Sequence, residues 1–142
     1  MYKTPSQRFF TESLIMQPSD VMLVGLGGGA GSLLRWWIGK IVGERYHGSF
    51  PLGTFLINIS GAFVIGYLSV LFAIDWQDRY GTLLHAGILT GVLGGYTTFS
   101  SMQLDAAKLS QSGRGGQAVF YLMVSVGVGL LAAACGAGLA RL

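Results

Sequence analysis

The stretch "GVLGGYTTFSS", Gly91 to Ser101, lies inside one of the most apolar parts of the chain, yet it crowds three glycines, two threonines and two serines around Tyr96 and Phe99. Glycine is among the weakest helix formers, and serine and threonine hydroxyls compete for backbone groups. Gly94-Gly95 therefore permits a helix break, and Thr97, Thr98, Ser100 and Ser101 can hydrogen-bond the freed backbone. Non-helical backbone at membrane depth is tolerated only where protein or a water-filled cavity covers it. Membrane proteins use such freed carbonyls and half-helix ends as ion sites. A packed kink accounts for the glycines, but less well for four hydroxyls around a phenylalanine.

The rest of the chain supports a lipid environment. It is 51% hydrophobic and 11% charged, against about 25% charged for a soluble domain; its mean hydropathy is +0.57. Four apolar runs approach the roughly 20 residues needed to cross a bilayer: about Val21–Val42, Leu52–Ile74, Gly81–Leu104 and Ala118–Ala140. Polar clusters separate them, and Trp36, Trp37, Tyr46, Trp76 and Tyr80 lie near the proposed ends, as in an interfacial aromatic belt. The expected organisation is a polar tail over residues 1–20 and one all-α membrane domain over 21–142. The tail lacks the apolar core and cleavage site of a signal peptide. Four short-looped helices enclose little alone, so oligomerisation is expected.

Charge distribution bears on orientation. With four spans, Lys3, Arg8, Arg79 and Arg141 share one side, while Lys40, Arg45, Lys108 and Arg114 share the other. The positive-inside rule works through an imbalance, and here there is none, so both orientations and an antiparallel dimer are open. Near-equal counts also arise by chance in so short a chain. Gly25/Gly29, Gly27/Gly31, Gly87/Gly91 and Gly91/Gly95 are small-xxx-small pairs that suit close helix packing.

Several chemistries are excluded. "VMLVGLGGGAG" imitates a dinucleotide fingerprint through Gly25, Gly27 and Ala30, with Glu44 about twenty residues on. No βαβ alternation follows it. The carboxylates Glu12, Asp20, Glu44, Asp75, Asp78 and Asp105 fall in tails, loops or span ends, so no mid-membrane acid is expected. That weighs against a proton-coupled exporter of the small multidrug resistance type. His47 and His85 read as structural or interfacial, and the single cysteine, Cys135, forms no disulfide framework. Scattered basic residues give no support for nucleic-acid binding. Arg35 is the ionisable residue well inside a span; it either snorkels beside Trp36 and Trp37 or faces a water-filled anion path. Asn58, the only asparagine, needs partners in lipid, from another helix or from a permeating anion.

With "GGGAGSLLRW", "GTFLINISG" and "GVLGGYTTFSSM" in this order, the chain resembles the Fluc (CrcB) family of fluoride channels. The resemblance covers most of the chain from Gly27 to Tyr121, and GG-x-TTFS in a four-span protein is its most specific piece. It implies an antiparallel, dual-topology homodimer in the inner (plasma) membrane with two fluoride pores. Asn58 matches the pore asparagine, Phe99 the first phenylalanine of the "Phe box", and Arg35 the vestibule arginine. Gly94 and Thr97 match positions whose backbone carbonyls, from both subunits, hold a structural sodium ion. Tyr121 and Ser125 match the start of a hydroxyl track on the fourth span, and Ser101 adds a hydroxyl to the path.

Two positions depart from the family pattern. Met102 stands where a second phenylalanine is usual, and Gly129 and Ala133 stand where the track would continue. Methionine fills a similar volume but has no aromatic edge. The residue chemistry still suits a small, strongly hydrated anion. Such a path must replace water with hydrogen-bond donors while binding weakly enough to release the ion, and amide, hydroxyl and phenol groups are such donors. An aromatic ring offers a positive edge. HF crosses lipid and ionises inside, so a passive fluoride leak would relieve its toxicity. The rival reading is a non-conducting structural or assembly membrane protein whose glycines serve packing alone.

Overall fold

The computed structural model describes residues 18–71 and 84–142. The polar tail up to residue 17, the loop holding Asp75, Trp76, Asp78, Arg79 and Tyr80, and the first residues of the third expected span lie outside them. The described residues form helices and no strands: α1 (Pro18–Arg45), α2 (Leu52–Leu71), a π-helical segment (Leu84–Leu93), a single turn α3 (Gly94–Tyr96), α4 (Phe99–Gln111) and α5 (Gly115–Leu139).

α1, α2 and α5 are each long and apolar enough to cross a membrane. Their 28, 20 and 25 residues give lengths of about 42, 30 and 38 Å at 1.5 Å per residue, against a hydrocarbon core of about 30 Å. They match the first, second and fourth expected spans within about a turn. Most of their apolar surface faces outward: Leu26, Leu33, Trp36, Met123, Leu130 and Leu131 are all exposed. In water that would be untenable, because monomeric soluble proteins rarely present apolar patches beyond a few hundred Å². Lys40 lies 5.6 Å from the Trp36 ring centroid, an ammonium placed over an aromatic face where a span meets water.

Two packing units build the fold. α2 lies along α5, and α1 lies along the π-helical segment and α3. Glycine makes both approaches feasible. A Cβ on Gly136 would run into the backbone oxygen of Phe63, and one on Gly31 would strike the backbone of Val92 and Tyr96. Gly27 and Gly31 thus behave as the close-packing pair their spacing suggests. Gly25 and Gly29 do not: among the described residues, a side chain on either would meet open space.

The region expected as the third span is divided. α3 ends at Tyr96, Thr97 and Thr98 are extended (ψ 158° at Thr97; φ −153°, ψ 115° at Thr98), and α4 begins at Phe99. The break therefore falls at the threonines, about three residues after the glycines where propensity places it. Gly94 and Gly95 remain helical, and Gly95 is pressed against the backbone of Gly28, where a Cβ would not fit. Here the glycine serves close approach, and the hydrogen bonds described next open the helix.

Candidate functional site

The Thr97 N–H still donates to the Leu93 carbonyl at 3.0 Å, but the Thr97 carbonyl and the Thr98 N–H bond instead to side chains from two other elements. The Thr98 N–H donates to Asn58 Oδ1 at 2.9 Å, and Asn58 Nδ2 donates to the Thr98 carbonyl at 3.0 Å. One amide thus satisfies both polar groups of one residue, as a neighbouring strand would. Arg35 Nη1 donates to the Thr97 carbonyl at 3.3 Å, and Ser32 Oγ to the Gly95 carbonyl at 3.4 Å. Arg35 is only partly exposed and points at the break. Of its two alternatives, this geometry turns the guanidinium inward, away from simple snorkelling.

The hydroxyls divide the remaining work. Thr97 Oγ1 donates back to the Leu93 carbonyl at 2.9 Å, closing the last turn before the break. Thr98 Oγ1 caps α4 by accepting the Ser101 N–H at 3.1 Å, and it contacts the Ser100 and Ser101 hydroxyls at 3.2 and 3.0 Å. Tyr96 is buried, and its hydroxyl meets Ser60 Oγ at 2.8 Å. Because Asn58 takes the Thr98 N–H, the Gly94 carbonyl loses the donor four residues on that a helix would supply. Gly94 is exposed in the single chain.

A second cluster follows along α4. Met102 is buried with Ala106, Leu109, Ala118 and Tyr121, and Phe50, Phe55 and Leu122 pack against them. Phe50 meets the Tyr121 and Phe55 rings edge-on, both at 5.4 Å between centroids. Tyr121 is fully buried, and neither its Oη nor the buried Ser125 Oγ one turn further on completes a well-formed hydrogen bond among the described residues, although the Ser125 and Thr54 hydroxyls stand near the phenol. An unpaired buried polar group costs about 1–3 kcal/mol, so two in succession on one helix call for an account.

The structure thus gathers Arg35, Asn58, Thr97 and Ser101 around the break, and Met102, Tyr121 and Ser125 in the neighbouring cluster. Phe99 joins neither; it is 68% exposed on the surface of the single chain. Sequence reasoning missed Ser32, Phe50 and Phe55, whose contacts are made across the fold. It also assigned Asp105 to a span end. Asp105 Oδ2 accepts from Thr54 Oγ1 at 2.7 Å in a half-buried contact, one turn after Met102 on the same helix. A carboxylate therefore stands close to the Tyr121 cluster, and its spacing from Phe99 and Met102, three residues each time, was the available signal.

Comparison with known proteins adds a family and close relatives. The family model "CrcB-like protein, Camphor Resistance (CrcB)" matches residues 22–137. The chain is 76% identical over 127 residues to fluoride-specific ion channel FluC 2 of Brucella suis biovar 1 (strain 1330), covering 89% of this chain and 98% of the relative. It is 70% identical over 125 residues to FluC 2 of Yersinia pseudotuberculosis serotype I, covering 88% and 99%. The likeness extends to the FluC protein of Rhizobium meliloti, 38% identical over 123 residues, covering 87% and 97%.

Proposed function

The chain belongs to the CrcB family, and on that premise we propose that it is a passive, fluoride-selective channel that releases fluoride from the cytoplasm across the inner (plasma) membrane. It is a multi-pass membrane protein whose conduction involves no covalent chemistry. The observation that carries the reading is the pair of buried hydroxyls, Tyr121 Oη and Ser125 Oγ, neither completing a well-formed hydrogen bond among the described residues, in a helix long enough to span the membrane. Buried hydroxyl donors in a row are what a path for a small, strongly accepting anion needs. Asn58 can add a donor: one Nδ2 hydrogen goes to Thr98, and the amide has a second. Arg35 raises the local positive potential at the break. Ser101 and Phe99 continue α4 toward Met102.

The working unit in this reading is an antiparallel homodimer of four-span subunits. Exposure of Gly94, Phe99 and Ser100 on a lone chain supports it, since a second copy would cover them and bring Phe99 against the path. Sodium would be the structural ion. The chain's own groups suit it: the Gly94 carbonyl lacks its helical donor, and the Thr97 carbonyl keeps a lone pair beyond the one Arg35 engages. Neutral carbonyl oxygens are the hard donors such a cation takes. Two per chain make only part of a shell, which a second copy would double. When bound, the ion would bridge carbonyl oxygens from two breaks where they meet, despite the Arg35 guanidinium on the Thr97 carbonyl.

The experiment is fluoride-electrode efflux from liposomes holding the purified dimer. Release well above protein-free liposomes is expected. A correctly dimeric protein that releases no more than protein-free liposomes would contradict the channel reading and favour a non-conducting structural role.

A further inference from the structure

An asparagine amide is useful to an anion only if its nitrogen, not its oxygen, faces the path. The two ends differ little in shape, so something must fix which way the group points. At Asn58 the answer is one residue. The Thr98 N–H pins Oδ1 at 2.9 Å, and the Thr98 carbonyl takes one Nδ2 hydrogen at 3.0 Å. With the amide reversed, carbonyl would face carbonyl and N–H would face N–H. The second Nδ2 hydrogen is then what the amide has left to offer.

Thr98 can do this only while its backbone is extended, and its own side chain enforces that. Its hydroxyl caps α4 by accepting the Ser101 N–H at 3.1 Å. Capping residues adopt the β region for this contact, so the cap and the clamp on Asn58 require the same backbone. The hydroxyl hydrogen is given to Ser101 Oγ at 3.0 Å. Ser101 is thereby an acceptor toward Thr98, and its own hydrogen is free for another partner. Thr98 is 8% exposed, so water does not compete for these bonds.

We propose that Thr98, outside the path residues named so far, is the positioning residue that aims the donors of Asn58 and Ser101 at the anion; this rests on the channel reading above. It need not touch fluoride. Its effect is on discrimination: with the amide unpinned, the path loses the donor orientation that favours the strongest acceptor among the halides.

The test compares Thr98→Val, which keeps shape and β preference but has no hydroxyl, with Thr98→Ser, which keeps the hydroxyl. Fluoride and chloride release are measured by ion-selective electrodes from liposomes holding each purified dimer. Thr98→Val is expected to lower fluoride release, by up to about tenfold where the full effect of the lost cap falls on the donor geometry of the path, and to lower the fluoride-to-chloride ratio. Thr98→Ser should stay within about threefold of wild type on both. A misfolded fraction would reduce both ions together and leave the ratio unchanged, so the ratio isolates positioning from loss of fold, and an unchanged ratio in an assembled Thr98→Val dimer would overturn the inference. Wild-type rate and ratio in Thr98→Val would overturn the inference, as would equal impairment in the two variants. If Thr98→Val does not assemble, Thr98→Ala is read in its place, and impaired conduction in Thr98→Ser alone overturns the inference. Wild-type protein that releases no fluoride contradicts the channel reading itself, a separately readable outcome.

Discussion

Replacing Asn58 by aspartate keeps the shape of the side chain and reverses its chemistry. In the native structure Nδ2 lies 3.0 Å from the Thr98 carbonyl and Oδ1 accepts from the Thr98 N–H at 2.9 Å. Asn58→Asp preserves the second bond and replaces the first by two acceptors facing each other. The lost hydrogen bond is worth about 1 kcal/mol. The larger effect falls on the ion: a carboxylate and a fluoride about 4 Å apart repel by about 4 kcal/mol at an effective dielectric constant near 20. At 1.36 kcal/mol per factor of ten, fluoride release should fall about a thousandfold. Asn58→Leu removes the donors without adding charge and should fall less, by about tenfold. Burial raises a carboxyl pKa, so lowering pH should neutralise the aspartate and partly restore flux. The assay is initial fluoride release from liposomes, with protein-free release subtracted at each pH. Asn58→Asp within threefold of wild type, or no worse than Asn58→Leu, would refute the placement of Asn58 in the path.

Other perturbations separate function from stability. Tyr121→Phe removes a buried hydroxyl that completes no well-formed hydrogen bond among the described residues; fluoride release should fall while stability changes by no more than about 1 kcal/mol, and a larger stability loss would show that Ser125 or Thr54 holds the hydroxyl. Gly136→Val places a side chain against the Phe63 backbone in the α2–α5 contact; overpacking of about 1–3 kcal/mol should lower the melting midpoint, whereas Gly25→Val, which meets open space within the chain, should not disturb the fold of a subunit. Replacing sodium throughout by a bulky organic cation should abolish fluoride release and weaken the dimer on size exclusion. Unchanged flux and assembly would remove sodium from the account.

Much of the architecture was legible because apolar run length is a strong signal. α1, α2 and α5 fall within about a turn of the spans read from the sequence. The break was legible in kind but displaced. Propensity points to Gly94-Gly95, yet these glycines stay helical, and Gly95 is there because the Gly28 backbone occupies the space a side chain would need. What opens the helix is Asn58, forty residues away from Thr98, and no local pattern encodes that pairing. The same holds for Thr54 with Asp105 and for Phe50 against Tyr121. Gly25 and Gly29 carry the spacing of a packing pair without a partner among the described residues, because spacing alone does not say which surface a glycine stripe meets.

Selective, passive conduction of fluoride is tested most directly by the reversal potential of the dimer in a planar bilayer, with a tenfold fluoride gradient and symmetrical chloride. A passive fluoride-selective path should reverse at the fluoride equilibrium potential, about 59 mV for that gradient, and should not shift when a proton gradient is added. Reversal near zero, or a shift that follows the proton gradient, would contradict the account.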